Sequence, residues 1–258
     1  MLKKRIIPKF LLKDGRLVKG VRFHDNHREA GNPVSAAKVY DAYGVDELVF
    51  LDIMSSSKSQ KTILQIIEKV SEEVFMPLTV GGGIRTLEHI RQLLCAGADK
   101  ISINTIAVEK PEFVHTAARY FGDQCIVGSV DYKQVAPDVF RVFTHGGRVQ
   151  TDLDPVEWSI QLQDRHCGEI MLTSIDRDGT LSGYDVHMIE TVNRKLDIPL
   201  IASSGAGRLD DCILAFQAGA DAIAISSMFF FTDHSPIKVR SYLASKGINV
   251  RASKSSRN

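Results

Sequence analysis

The sequence predicts an α/β fold, a (β/α)8 TIM barrel, from three observations. Eight short β-branched strand patterns alternate with helical patterns over about 250 residues, a length typical of this barrel. The segment Pro77–Thr105 is repeated at Pro199–Ser227, an offset of 122 residues (199 against 77), so we expect two half-barrels built on one plan. No GxGxxG motif follows the first strand, as it would in an open dinucleotide-binding sheet.

The strand candidates are short and are separated by amphipathic segments with helix boundary signals. We expect a helix that Ser35 caps and that stops at Gly44, and another that begins near Pro111. A third helix is expected to be capped by Asp154 and to begin at Pro155. The strand candidates are Arg5–Phe10, Leu48–Ile53, Leu78–Val80, Lys100–Ile103, Cys125–Asp131, Glu169–Thr173, Leu200–Ala202 and Ala222–Ile225.

One segment lies outside the regular alternation. Val139–Thr151 alternates apolar and polar residues around His145–Gly147, which predicts a hairpin inserted after the fifth strand, on the catalytic face of a barrel. We expect a single barrel domain over residues 1–251 and a polar, disordered tail over 252–258.

Composition and charge are those of an ordinary globular protein and argue against several kinds of partner. The net charge of +1 gives no reason to expect nucleic acid, and no apolar run is long enough for membrane insertion. The first residues contain no apolar signal segment and the cysteines show no CxxC spacing, so we expect reduced thiols and a cytoplasmic location. His24 and His27 form HxxH without a glutamate, so no metal is expected; neither a cofactor motif nor a P-loop for ATP is present.

Two small-residue turns follow strands at positions related by the repeat. Gly81–Gly83 precedes a strand that ends at Asn104–Thr105, and Ser203–Gly207 precedes one that ends at Ser226–Ser227. Backbone N–H groups in such turns can hold a phosphate, and glycine at 83 and 205 is expected because a side chain would intrude on the anion. Two turns indicate a ligand with two anionic ends; a purely structural role for the glycines is the alternative.

These motifs resemble those of the cyclase subunit of imidazole glycerol phosphate synthase, the HisF family of histidine biosynthesis. The similarity runs from Lys4 to about Arg251 and includes KDGRLVKG, DELVFLDI, VGGGI, GADKISINT, EIMLTSIDRDGTLSGYD, IASSGAG and GADAIAISS. It implies a barrel enzyme with two phosphate sites across its mouth. The residues carried over to these sites are Gly83, Asn104 and Thr105 for one, and Asp178, Gly179, Gly205, Ser226 and Ser227 for the other.

The resemblance also implies two catalytic aspartates, at the ends of strands one and five, that divide acid and base work. Asp131 matches the strand-five aspartate, and Lys19, in the loop after strand one, matches the family's mobile-loop lysine, so both are catalytic candidates. Leu11 stands where the strand-one aspartate belongs, and Lys9 and Pro8 also depart from the family pattern. Leucine cannot transfer a proton, so we expect poor histidine-pathway cyclase activity.

Charged residues stand at the starts of four strands. In the HisF family the matching residues form a ring that closes the bottom of the barrel and gates ammonia from a docked glutaminase subunit; simple solvation is the alternative. Asp99 and Gln124 match residues of the docking face, so the resemblance implies a heterodimer with a glutaminase. The four ring candidates are Arg5, Glu47, Lys100 and Glu169.

The loss of one aspartate from an otherwise complete set of motifs makes the chain resemble one branch of the family, the acetamidino-modification group of surface-polysaccharide synthesis. That resemblance implies that ammonia converts the N-acetyl group of a phosphorylated or nucleotide-linked sugar to an acetamidino group. Two alternatives remain: an imidazole glycerol phosphate synthase cyclase subunit, and a non-catalytic scaffold that activates a glutaminase.

Overall fold

The computed structural model describes residues 3–54 and 57–251, and the predicted tail at 252–258 lies outside them. In chain order the strands are β1 (Arg5–Lys13), β2 (Arg16–Lys19), β3 (Arg28–Gly31), β4 (Leu48–Asp52), β5 (Leu78–Gly81), β6 (Lys100–Ile103), β7 (Ile126–Ala136), β8 (Val139–Thr144), β9 (Val149–Gln150), β10 (Glu169–Ser174), β11 (Leu200–Ser203) and β12 (Ala222–Ile225). Strands β1, β4, β5, β6, β7, β10, β11 and β12 pair in parallel in that order, and β12 pairs back with β1. This closed ring confirms the predicted (β/α)8 barrel.

Helices connect the barrel strands on the outside. They are α1 (Pro33–Ala42), α2 (Ser57–Ser71), α3 (Leu87–Cys95), α4 (Thr105–Glu109), α5 (Glu112–Phe121), α6 (Pro155–Asp164), α7 (Val186–Asn193), α8 (Leu209–Gln217), α9 (Ser227–Phe231) and α10 (Pro236–Ser245). Asp154 caps α6 as predicted. The predicted cap of α1 was wrong: the side chain of Asn32, not Ser35, accepts the first backbone N–H groups. Pro33 fits the first helical position because it has no N–H that needs a partner.

The sequence repeat is also a structural repeat. The run β5-α3-β6-α4 and the run β11-α8-β12-α9 have boundaries that differ by the same 122 residues throughout. Asp99 and Asp221 occupy equivalent positions and make equivalent hydrogen bonds. Their carboxylates accept the backbone N–H of Leu78 at 2.8 Å and of Leu200 at 3.1 Å, respectively. Each half therefore ties the start of one strand to the start of the next.

Two antiparallel additions rise from the carboxyl ends of the barrel strands, which we term the mouth. Strand β1 turns back into β2 at Asp14–Gly15, where both residues have positive φ, as a tight hairpin requires. Lys19 lies in β2 rather than in the predicted loop, because Leu17 and Val18 are buried and β2 pairs with both β1 and β3. The hairpin predicted at Val139–Thr151 is confirmed as β8 and β9, and an extended β7 adds a third strand to it.

The barrel has two apolar cores because alternate residues of each strand point outward and inward. Ile6 belongs to the larger core between strands and helices. In β1, Arg5, Lys9 and Leu11 share the inward face with Ile7, and they rise from the bottom of the barrel to its mouth. The smaller, inner core consists of Ile7, Val49, Val127, Met171, Ile201, Ala222 and Ala224.

Candidate active site

At the bottom of the barrel, where the strands begin, the four predicted charged side chains form one ring. Arg5 donates to both oxygens of Glu169 at 3.1 Å and to Glu47 at 3.0 Å. Lys100 donates to Glu47 at 2.8 Å and to Glu169 at 2.9 Å. Thr79 donates to the remaining oxygen of Glu47 at 2.6 Å. Each carboxylate therefore bridges two cations, and the charges in the ring balance.

Burial and pairing act in opposite directions on this ring. Burial lowers the pKa of Arg5, but Glu169 and Glu47 raise it by more, so the pKa lies above its ordinary value. Glu47 is only 2% exposed and would be costly without its cations. Above the ring, the inner apolar core separates these charges from the mouth.

Asp131 is the carboxylate that β7 places at the mouth. One of its oxygens accepts a hydrogen bond from Asn104 Nδ2 at 2.8 Å, and the other accepts one from Ser129 Oγ at 3.3 Å. Burial raises the pKa of Asp131, while Lys9 and these hydrogen bonds oppose the rise. A raised pKa brings the carboxyl group closer to neutral pH, where one group can accept and donate a proton.

Leu11 occupies the inward position near the end of barrel strand β1. It lies beside Leu51 of β4 and Val18 of β2 and is half-buried. Asp14 lies further along, in the exposed hairpin turn. The inward charge on β1 is instead Lys9, two residues below Leu11.

Lys9 is the site residue that sequence reasoning missed. The residue is 2% exposed, and its ammonium group donates to Ser203 Oγ at 2.8 Å and lies 3.8 Å from Asp178 Oδ1. In the sequence, Lys9 is visible only as a departure from the family pattern. The alternation of β1 could have identified it, because Lys9 has the same parity as Arg5 and Leu11.

The predicted phosphate residues of the second half come together around one cavity. Gly205 has φ +105°, and a Cβ atom there would lie 2.2 Å from the backbone oxygen of Gly183. The close approach of two backbones is sufficient to require this glycine, and room for an anion at Gly205 stays a prediction. The cavity is lined by Lys9, Asp178, Gly179, Leu181, Ser204, Gly205, Ala206, Ala224, Ser226 and Ser227.

Lys19 stands beside this cavity and is buried. Its ammonium group donates to the backbone oxygen of Lys9 at 3.0 Å and to Ser226 Oγ, and it lies 4.4 Å from the ring centre of Phe230. Burial, with a smaller contribution from the neighbouring charge of Lys9, lowers the pKa of Lys19 to about 7, and Asp178 opposes the shift. The strand β2 thus delivers a second lysine to the same side of the mouth.

The predicted phosphate residues of the first half have different partners. Asn104 Nδ2 also donates to the backbone oxygen of Phe143 at 3.1 Å, and Asn104 Oδ1 is buried without a hydrogen-bond partner. Thr105 Oγ1 accepts the N–H of His145 at 3.0 Å, and the oxygen of Gly83 accepts Gln60 Nε2 at 3.2 Å. The structure brings Asn104 to Asp131, and its amide donors are already engaged there.

The two predicted docking residues lie at the bottom face. Asp99 precedes Lys100 of the ring and spends one carboxylate oxygen on the start of β5. Gln124 lies in a 3₁₀ turn, Asp123–Cys125, just before β7. Asp99 therefore has a role within the fold, and docking of a partner at these two residues remains a prediction.

The fold and this mouth define a class of protein, the (β/α)8-barrel enzymes whose chemistry takes place at the carboxyl ends of the strands. A family model described as histidine biosynthesis protein matches residues 5–235. The chain therefore belongs to this family, whose members are isomerase and cyclase enzymes of the HisA and HisF type.

Membrane-spanning helices and metal-binding clusters are both absent from residues 3–54 and 57–251. No helix in this part of the chain is long and apolar enough to cross a membrane. The same residues contain no group of three His, Cys, Asp or Glu side chains placed to hold a metal ion.

Proposed function

We propose that the chain is the ammonia-using synthase subunit of a glutamine amidotransferase complex. Its reaction converts the N-acetyl group of a phosphorylated or nucleotide-linked sugar to an acetamidino group in surface-polysaccharide synthesis. A glutaminase subunit docks at the bottom face, near Asp99 and Gln124, and supplies the ammonia.

The observation that carries this proposal is one half-buried, hydrogen-bonded carboxylate, Asp131, above a closed and balanced charged ring. A ring of alternating charges, followed by an apolar layer, passes a small neutral molecule more readily than an ion, because an ion would lose its hydration there. Leu11 leaves the mouth without the second aspartate that the histidine-pathway cyclase reaction uses. An ammonia route that leads to a single carboxylate therefore favours an ammonia acceptor other than the substrate of the histidine-pathway cyclase.

The chemistry balances without a second carboxylate. Ammonia nitrogen forms a bond to the amide carbonyl carbon, and the carbon–oxygen bond breaks. The oxygen leaves as water with two protons taken from ammonia, and the third hydrogen stays on the imino nitrogen. Asp131 moves these protons, since its raised pKa suits it to accept a proton from the attacking nitrogen and to donate one to the leaving oxygen.

The histidine-pathway cyclase remains a second candidate. The observation in its favour is that the two strand-end clusters lie at repeat-related positions, as a ligand phosphorylated at both ends would need. No observation favours the scaffold alternative, because a protein that only activates a glutaminase does not need a carboxylate such as Asp131 at the mouth.

The test supplies ¹⁵N-ammonium chloride to the purified chain with a panel of nucleoside-diphosphate N-acetylhexosamines, and separately with the bis-phosphorylated imidazole precursor. We expect ¹⁵N in an amidine product from one of the sugars, detected by mass spectrometry, and no product with Asp131→Asn. Turnover of the imidazole precursor at the higher rate would replace this proposal with the cyclase. If neither substrate gives a product but the chain raises the activity of a glutaminase, the scaffold alternative would be supported instead.

A further inference from the structure

The two halves of the mouth have the same backbone plan but opposite charge. Every boundary of β5-α3-β6-α4 matches that of β11-α8-β12-α9, yet the lysines of β1 and β2 both approach the second half. In the sequence, the position equivalent to Lys9 in the other half is Ser129, a neutral residue that donates to Asp131. A ligand therefore meets different electrostatics at the two ends of the mouth.

We term the second-half cavity the lysine pocket and define it by Lys9, Lys19, Asp178, Ser204 and Ser226. Two lysines face one aspartate there, and the ion pair between Lys9 and Asp178 spans 3.8 Å. The hydroxyl of Ser226 and the ammonium group of Lys19 both donate to the backbone oxygen of Lys9, at 2.6 Å and 3.0 Å, so neither of these bonds uses the ammonium group of Lys9. A buried excess of positive charge is costly, and a bound anion reduces that cost.

Ser204 indicates that the lysine pocket is built for a ligand rather than left over from folding. It has φ +80°, a conformation that non-glycine residues rarely adopt, and its repeat counterpart is Gly82. Its hydroxyl donates to Asp178 at 2.8 Å and accepts from Lys9 at 3.4 Å. Strained residues of this kind persist where their side chain is needed.

The first half offers acceptors instead. We term Gly83, Asn104, Thr105 and Asp131 the amide cluster. Both amide hydrogens of Asn104 are engaged, by Asp131 and by Phe143, and Oδ1 is buried without a partner. The reverse orientation of the amide would place its oxygen against a carboxylate and a carbonyl, so the network fixes the orientation. Among the side chains of residues 3–54 and 60–251, no lysine or arginine makes a hydrogen bond or ion pair with Gly83, Asn104 or Thr105.

We infer that the ligand is anionic at one end only. Its diphosphate binds in the lysine pocket, with Lys9 as the specificity-determining contact. A neutral group that carries N–H or O–H donors binds at Asn104 Oδ1 and Asp131. This inference rests on the proposed function and narrows it, because a ligand with a phosphate at each end would place an anion beside Asp131.

The experiment measures binding of inorganic pyrophosphate by calorimetry, which needs neither turnover nor a glutaminase. We expect one pyrophosphate per chain and a loss of affinity of about 10- to 100-fold in Lys9→Met, the effect of removing a charge-assisted hydrogen bond. Lys13→Met, a lysine of the same strand at the hairpin turn, is the matched control and should change affinity by less than about twofold. Asn104→Ala should likewise leave pyrophosphate affinity within about threefold.

A second probe, UDP-N-acetylglucosamine, tests the amide cluster. It should bind more tightly than pyrophosphate, and Asn104→Ala should remove that advantage. Two pyrophosphates per chain, no binding to the wild type, unchanged affinity in Lys9→Met, or equal weakening in Asn104→Ala would each overturn the inference. Lys9→Gln, which keeps a donor for Ser203, replaces Lys9→Met if thermal melts show that the latter is unfolded.

These results separate the inference from the proposed function. One-ended pyrophosphate binding without amidine formation would retain the inference and remove the proposed reaction. Amidine formation with pyrophosphate bound at both halves would retain the proposed reaction and overturn the inference.

Discussion

At the bottom of the barrel, Arg5 and Lys100 meet Glu47 and Glu169 at 2.8 to 3.1 Å, whereas at the mouth the ion pair of Lys9 and Asp178 spans 3.8 Å. The pKa directions differ in the same way. The raised pKa of Arg5 means that the folded protein favours its charged form. At the mouth, the pKa of Lys19 is lowered to about 7 and that of Asp131 is raised, so folding disfavours both charged forms.

This difference shows which charges serve the fold and which await a ligand. The balanced ring satisfies itself, so we expect changes there to lower stability. The mouth keeps charges whose burial is only partly compensated, which is typical of functional sites. Substitutions that remove a charge at the mouth should reduce function and leave stability equal or higher.

The largest effect is expected from Asp131→Asn. Loss of a general acid–base group should reduce amidine formation by about 10²- to 10⁴-fold. Because the pKa of Asp131 is raised by folding, its ionised form destabilises the folded state once the pH exceeds the ordinary value near 3.8, and the neutral amide should raise the melting temperature at pH 7. Rate and thermal melt are measured on the same preparation. A stability loss in proportion to the rate loss would show that Asp131 serves the fold.

Lys100→Met tests the ring. It leaves Glu47 buried with one cation fewer, and the free energy of unfolding should fall by about 3–5 kcal/mol in a denaturant titration. Glutamine-dependent turnover should fall further than turnover with added ammonium chloride. The control is Lys100→Met with Glu47→Gln, which restores the charge balance and should recover part of the stability. An equal loss with both nitrogen sources would assign Lys100 to folding alone.

The barrel and its repeat could be predicted from the sequence because both depend on local signals. Strand periodicity, helix boundaries and the copied segment Pro77–Thr105 are all readable along the chain. The cap of α1 was missed because Asn32 and Ser35 are both good capping residues, and Pro33 decides between them. The location of Lys19 was missed because β2 is short, Arg16–Lys19, and its place as a strand depends on pairing with β1 and β3 on either side rather than on a clear alternation of its own.

The candidate site was predictable as a set of residues and not as a set of contacts. The resemblance identified Asn104 and Asp131. It did not indicate that both N–H donors of the Asn104 side chain are hydrogen-bonded, one to Asp131 and one to the backbone oxygen of Phe143. The close approach of Gly205 to Gly183 could not be predicted because the two residues are distant in sequence. Lys9 was passed over because its significance depends on the inward face of β1.

Leu11→Asp should have an intermediate effect at the mouth. The new carboxylate stands beside Leu51, and we expect the free energy of unfolding to fall by about 1–3 kcal/mol. Any residual turnover of the bis-phosphorylated imidazole precursor should rise, since a second carboxylate is restored. Leu11→Asn is the matched control, with similar size and no acid. An equal rise in Leu11→Asn would show that polarity, not proton transfer, is responsible.

The pH dependence of stability tests the lowered pKa of Lys19. Its folded pKa of about 7 lies below the ordinary 10.5, so between these values the unfolded chain binds more protons and stability increases with pH. The gain should be about 1 kcal/mol between pH 7 and pH 8. Lys19→Met should remove this part of the slope in urea titrations at the two pH values. A slope that is the same in wild type and variant would place the pKa of Lys19 outside this range.

The smallest effect is expected for equivalent substitutions in the two halves at the bottom face. Asp99→Asn and Asp221→Asn each weaken one hydrogen bond to a strand start, from Leu78 or Leu200, and each should lower the free energy of unfolding by about 1 kcal/mol. Only Asp99 matches the predicted docking face, so Asp99→Asn alone should weaken binding of the glutaminase subunit in a pull-down titration. Asp221→Asn also weakens the partly exposed ion pair of Asp221 with Lys4 at 3.0 Å, a small addition, so the stability effects of the two variants remain comparable. Equal weakening by both variants would mean that the partner senses the fold of the bottom face rather than Asp99 itself.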